Sequence, residues 1–176
     1  MKKTDYAWNA HEQKQFGKEL ISNTPKIKIF DNAKLRRTLA LDLEKLPQNL
    51  LAEWALENAE PFLSYLDVSF MEEQRIEFAK EALKKRLAGK LSAAELRKAG
   101  FLANQLAKEA TTEIGKAAAR VFAQAIAVGH MRGHALISAD YGVKTINLLY
   151  PYQLAPVSQL RQQQIASARI FLEKYF

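Results

Sequence analysis

The chain has 176 residues, nearly half of them apolar and about a quarter charged, with a formal net charge of +7. That mix excludes a disordered chain, and the length fits one domain that buries roughly 70% of its unfolded surface. Cysteine is absent, which excludes disulfides, thiolate metal sites and thiol nucleophiles, and no run approaches the roughly 20 apolar residues that span a bilayer.

The first residues, Met1-Lys2-Lys3, open like a secretory leader, but the apolar run that must follow is missing, so a cytoplasmic chain is expected. Residues 1–31 carry the least readable pattern. Lys26-Ile27-Lys28-Ile29-Phe30 alternates like a short strand after a Thr24-Pro25 turn. One strand has no stability of its own, so an extended lead-in packed on helices is expected. Asn32 is placed to cap a helix from Ala33 to about Leu46, and Pro47 fits the first turn of the next helix. There Leu50, Leu51, Trp54, Ala55, Ala59, Phe62, Leu63 and Leu66 share one face. Pro61 should kink or break that helix by removing an N–H and crowding the carbonyl of Glu57.

Ile76, Ala79, Leu83 and Leu87 form the next periodic run, stopped by Gly89. Ser92-Ala93-Ala94-Glu95 reads as a capping box that starts a helix with Leu96, Ala99, Ala103, Leu106 and Ala110 on one face. Thr112 is placed to cap another, with Ile114, Ala118, Val121, Ala125 and Val128 inward. A further face follows in Leu136, Ala139, Val143, Ile146 and Tyr150; Pro151 ends it, and Pro156 opens a last helix bearing Leu160, Ile165, Ala168, Leu172 and Tyr175. One rod over residues 113–149 would be roughly 55 Å long, more than the ~40 Å diameter of a compact domain, so a break is expected between Gly129 and Gly133. The small residues of 117–129 let neighbouring axes approach, which makes that helix central. The sum is an all-α, single-domain chain over 1–176: an antiparallel bundle of about six or seven helices with an irregular or extended lead-in.

The chemistry-bearing residues concentrate in Gly129-His130-Met131-Arg132-Gly133-His134, followed by Asp140 and Tyr141. Two histidines four apart suit a zinc site on a helix, but Met131 stands where a His-Glu-x-x-His motif needs its glutamate. Asp140 is the available carboxylate, and the expected break upsets the spacing. His130, Arg132, His134, Asp140 and Tyr141 are therefore the candidate functional polar cluster, with no catalytic, metal or cofactor residue assigned. There is no Gly-x-Ser-x-Gly elbow, no Walker loop and no dinucleotide fingerprint. Lys34-Leu35-Arg36-Arg37 and Lys84-Lys85-Arg86 are the densest basic runs, yet acidic residues lie nearby and no helix-turn-helix is discernible.

Leu51-Ala52-Glu53-Trp54-Ala55-Leu56-Glu57-Asn58-Ala59-Glu60, the segment Arg75 to Leu91, and Ala125 through His130 and His134 to Ala139-Asp140-Tyr141-Gly142-Val143-Lys144 occur in this order. In these elements the chain resembles an all-α family of immunity proteins of bacterial polymorphic toxin systems, over about residues 48–148. Asn58 and Asp140 depart from the family's pattern. The resemblance implies a non-enzymatic protein that binds and neutralises a cognate toxin, with aromatic anchors to be sought among Tyr6, Trp8, Phe30, Tyr65, Phe70, Tyr150 and Tyr152. Basic charge favours a target other than a basic nuclease, unless a local acidic patch such as Glu53–Glu60 does the binding. Two alternatives stay open: a helical nucleic-acid-associated or regulatory module, and a metal-dependent enzyme using the His130/His134 region.

Overall fold

The computed structural model describes residues 1–18 and 24–176; residues 19–23, part of the lead-in expected over 1–31, lie outside the described set. Two single turns, α1 (Lys3–Tyr6) and α2 (Ala10–Gln13), precede seven longer helices. These are α3 (Ala33–Glu44), α4 (Gln48–Ala59), α5 (Gln74–Leu87), α6 (Ala93–Glu109), α7 (Glu113–Ala127), α8 (His134–Leu149) and α9 (Leu154–Tyr175). They pack as a helical bundle, and no strand occurs among the described residues.

The local chemistry places the boundaries. The Asn32 side chain accepts the Leu35 N–H and starts α3. The Ser92 hydroxyl accepts the Glu95 N–H while the Glu95 carboxylate accepts the Ser92 N–H, a complete capping box on α6. Thr112 accepts the Gly115 N–H at the start of α7, and the Asp67 carboxylate reaches the same end to accept the Thr111 and Thr112 N–H groups. Pro61 ends α4, as expected: the helix stops at Ala59 and continues as a 3₁₀ segment, Glu60–Tyr65. Gly89 closes α5 with φ +71°, a conformation open to glycine at no steric cost.

The strand-like alternation of residues 26–30 forms no strand. Instead the chain is pinned by side chains: Phe30 N–H donates to Asn147 Oδ1 (2.8 Å), Asn147 Nδ2 donates back to Phe30 O (2.9 Å), and Asn32 Nδ2 donates to Ser158 Oγ (3.1 Å). Both backbone groups of Phe30 are thus met by α8, and a side-chain bond ties Asn32 to α9.

Helix α7 is the hub. It packs on α4, α5, α6, α8 and the 3₁₀ segment, and buries Ala117, Ala118, Ala119, Val121, Phe122, Ala123, Ala125 and Ile126. Two neighbouring helices differ from the face read in the sequence. On α8 the buried set is Ala135, Ser138, Ala139, Asp140, Gly142, Val143 and Thr145, while Leu136 and Ile146 are half-buried and Tyr150 is exposed. Small residues win that face because they let α8 lie close: a Cβ on Gly142 would sit 3.0 Å from the Phe62 ring. On α9 the inward stripe is Val157, Arg161, Gln164, Ile165, Ala168 and Phe171, with Leu160, Leu172 and Tyr175 at its edge. Among the described residues no helix is long and apolar enough to cross a membrane.

A close backbone approach against apolar side chains lies just after α7. A Cβ on Gly129 would meet Leu96 Cδ2 at 2.4 Å and Leu83 Cδ1 at 2.7 Å, whereas one on Gly133 would meet nothing nearer than 3.6 Å. Gly129→Ala should therefore cost about 2 kcal/mol by overpacking and lower the thermal midpoint by about 4–8 °C. Gly133→Ala should stay within about 0.5 kcal/mol of the parent. Equal midpoints for the two variants in calorimetry would contradict the close approach.

Candidate functional site

Three of the five polar candidates, His130, Arg132 and His134, lie at the α7–α8 junction. The His130 and His134 rings lie 5.2 Å apart, but residues 128–133 form the turn between the helices, so the pair does not share one helical face. His134 Nδ1 is 2.6 Å from Gln124 Oε1, and His130 Nδ1 is buried without a hydrogen-bond partner. Burial, with the His134 ring and Arg97 adding to it, pushes His130 down to about 4; burial also lowers His134. Both imidazoles are consequently neutral at pH 7.

Arg132 turns the other way and is buried. Its guanidinium donates to Tyr6 O, Leu43 O (3.1 Å) and Leu46 O (3.2 Å), and stacks 3.7 Å over the Tyr6 ring. The last carbonyls of α3 lack the i+4 N–H partners of a helix interior, and a cation there also complements the negative end of the helix dipole. Glu12 does the converse at the start of α8, accepting the N–H groups of Arg132 (2.9 Å) and Gly133 (3.0 Å). Gln48 Nε2 donates to Val128 O and Arg86 Nε to Gly129 O, so α1 to α5 all brace one turn.

Asp140 is in a different network. Arg36 grips it with two bonds (2.8 and 2.9 Å) and Arg161 with a third (2.7 Å). Arg161 also binds Asp31 (2.6 and 3.1 Å) and Gln164 (3.0 Å). Two arginines and two aspartates thus compensate one another inside α3, α8, α9 and the lead-in. Tyr141 is half-buried against the apolar core, and its carbonyl accepts the Thr145 hydroxyl. The carboxylate that a His130/His134 metal centre would need is therefore engaged by two guanidiniums. No group of three or more potential ligands that could hold a metal occurs among the described residues.

The reading of the sequence missed Glu12, Asp31, Arg36 and Arg161. One signal was available. Arg161 falls on the same helical stripe as Val157, Ile165 and Ala168, and Asp140 interrupts an apolar stripe on α8. Opposite charges on two inward faces are a reason to expect a pair.

Of the seven aromatic anchor candidates, Tyr6 is buried, and Trp8 and Phe70 are half-buried, Trp8 beneath the Arg86 guanidinium at 4.9 Å. Phe30, Tyr65, Tyr150 and Tyr152 are exposed. Tyr152 stands out: it is 89% exposed and has φ +59°, in the left-handed region. For a non-glycine residue that conformation costs about 1–2 kcal/mol. Its ring meets Phe30 edge-on at 6.5 Å, and exposed Leu154 follows at the start of α9. Glu53 and Glu57 on α4 and Glu60 at the start of the 3₁₀ segment are exposed, and Glu60 pairs with Lys80 at 2.8 Å.

Residues 41–169 match a protein family described as Imm-5 like putative immunity protein. The chain belongs to this family. No curated protein and no solved structure matches it. The Imm-5 like region extends past both ends of the 48–148 resemblance and takes in α4 to α8 and most of α9. It supplies Arg132, Asp140 and Arg161, while Tyr6, Glu12, Asp31 and Arg36 precede it. Residues ahead of the immunity-family region thus complete both buried networks.

Removing one partner from a buried ion pair leaves an uncompensated charge, so Asp140→Ala should cost about 3–5 kcal/mol. A denaturant titration giving less than about 1 kcal/mol would show that water reaches Arg36 and Arg161. The histidines predict an acid limb. Folded His130 binds its proton near pH 4, whereas an unfolded histidine binds one near pH 6.5. The unfolded chain therefore holds more protons between these values. Stability is full above about pH 6.5 and is lost as pH falls towards 4. The thermal midpoint should be lower at pH 5 than at pH 7, and His130→Leu should shrink that difference; an undiminished difference would assign the limb to carboxylates.

Proposed function

We propose that the chain is an immunity protein that binds a cognate bacterial toxin stoichiometrically and neutralises it by covering or distorting the toxin's active site, without catalysis of its own. The observation that carries this reading is the family match over residues 41–169, most of the chain. The disposition of the polar groups supports it. Arg132 serves helix-end carbonyls, Asp140 serves two arginines, and His134 is bonded to Gln124, so the groups nearest to a catalytic set are turned inward. A stoichiometric inhibitor needs something else: an ordered surface burying roughly 1,200–2,000 Å² in total, with a few aromatic anchors at its centre.

Charge supports a protein partner over nucleic acid. Each of the two densest basic runs loses a member to the interior, Arg36 to Asp140 and Arg86 to the carbonyls of Gly129 and Leu91. A phosphate-tracking surface needs its guanidinium groups free to meet the backbone.

The test is affinity capture from nuclease-treated lysate of the source cells, with the metal content of the bait assayed in parallel. The captured protein is then expressed with and without this chain. One stoichiometric partner that arrests growth alone and is harmless beside this chain is the expected result. Tightly bound metal without any partner would overturn the reading and return attention to His130 and His134.

A further inference from the structure

We infer that the toxin is held on the aromatic knuckle formed by Phe30, Tyr150, Tyr152 and Leu154, and that the toxin surface seated there is an acidic one, with Asp and Glu side chains around an apolar pocket. The inference rests on the immunity reading above and gives that reading a place on the molecule.

The fold puts these residues together. The lead-in runs beside α8 in the same direction: Lys26 is close enough to His134 to oppose its protonation, and Phe30 is bonded both ways to Asn147 near the other end. Phe30 thereby meets Tyr152 in the turn between α8 and α9. That turn is fixed at both sides, by Tyr150 N–H on Ile146 O (2.8 Å) and by Gln153 N–H on Tyr150 O (3.3 Å). It holds the Tyr152 ring out in water although a left-handed backbone is unfavourable there. Packing inside the chain gives no reason for this arrangement. A rigid, amphipathic ring presented on a fixed turn loses little conformational freedom on binding, as hot-spot anchors require.

The electrostatics choose the occupant. No Asp or Glu occurs between Asp140 and Glu173. Between Thr24 and Lys34 the one carboxylate is Asp31, which Arg161 engages. The charges left near the knuckle are exposed Lys28 and Lys34, with half-buried Lys144 one turn before Asn147 and exposed Lys26 further back along the lead-in. A single sign of charge around an apolar centre complements an acidic protein face and steers its approach. Two other exposed aromatics, Phe78 and Phe101, lie on α5 and α6 among Glu77, Lys80, Glu81 and Lys98, a mixture that favours neither sign. They serve as the control face.

The experiment uses the purified toxin identified by the rescue test, the full-length chain and three double variants. Tyr150→Ala with Tyr152→Gly removes both rings and relieves the backbone, so its thermal midpoint should not fall. It should weaken toxin binding by about 100-fold or more in titration calorimetry. Lys26→Glu with Lys28→Glu should slow association about tenfold at low salt and flatten its salt dependence. Phe78→Ala with Phe101→Ala should change affinity less than about threefold. If the parent chain retains no toxin, the immunity reading falls and this inference falls with it. If the parent binds and the ring-less variant binds equally well, the surface assignment alone is overturned. It is also overturned if the rings prove to hold a second copy of this chain, seen by sedimentation as a dimer lost in the ring-less variant. Retention of a single-stranded 20-mer oligonucleotide by the parent and not by that variant would overturn it as well.

Discussion

A carboxylate with no access to water sits between two guanidinium groups, and the relative placement of three helices follows from it. Asp140 on α8 is held by Arg36 of α3 and Arg161 of α9, and Arg161 extends the chain of contacts to Asp31 in the lead-in. Desolvating four charges is expensive, and apolar residues of similar volume would often be at least as stabilising. What an ionic core adds is register. An Arg–carboxylate pair with two bonds tolerates little sliding or rotation, whereas alanine-rich faces such as those of α7 and α8 can pack in several ways. The network therefore fixes which of those packings the chain adopts, and with it where the α8–α9 turn emerges.

Much of the fold was legible because it depends on local chemistry. The Ser92/Glu95 box, the Asn32 and Thr112 caps, the stop at Gly89 and the break at Pro61 act within one turn of chain. They stand where those residues put them. Helix rotation was less legible. On α8 the reading favoured large apolar residues, but tight packing against the Phe62 ring and α7 favours small ones, so the true face is turned away from Leu136 and Ile146. The polar cluster was legible only as composition. His130 and His134 do meet, while Arg132 beside them turns away; Asp140 answers to Arg36 and Arg161, 104 residues before it and 21 after. No local pattern records such distant partners.

Net charge also divides on folding. Arg36, Arg86, Arg132 and Arg161 are spent on buried carboxylates, helix-end carbonyls and rings, so the charge that a partner meets belongs mainly to lysines and to arginines elsewhere on the surface. Reading +7 as a uniform basic surface would misplace it. The same folding that withdraws arginines from one region leaves the sector around residues 24–34 and 141–172 without a free carboxylate.

The clasp made by Glu12 has a consequence for how the chain is born. Its partners, the amides of Arg132 and Gly133, lie 120 and 121 residues further on, and Arg161 reaches Asp31 across 130. At 5–20 residues per second, Glu12 waits roughly 6–24 s for the residues it must hold. During that interval α5 and α6 can pack on each other, while Glu12 lacks these partners. The clasp on the α7–α8 turn and the Asp31–Arg161 bond therefore close only after the helices they join have been made.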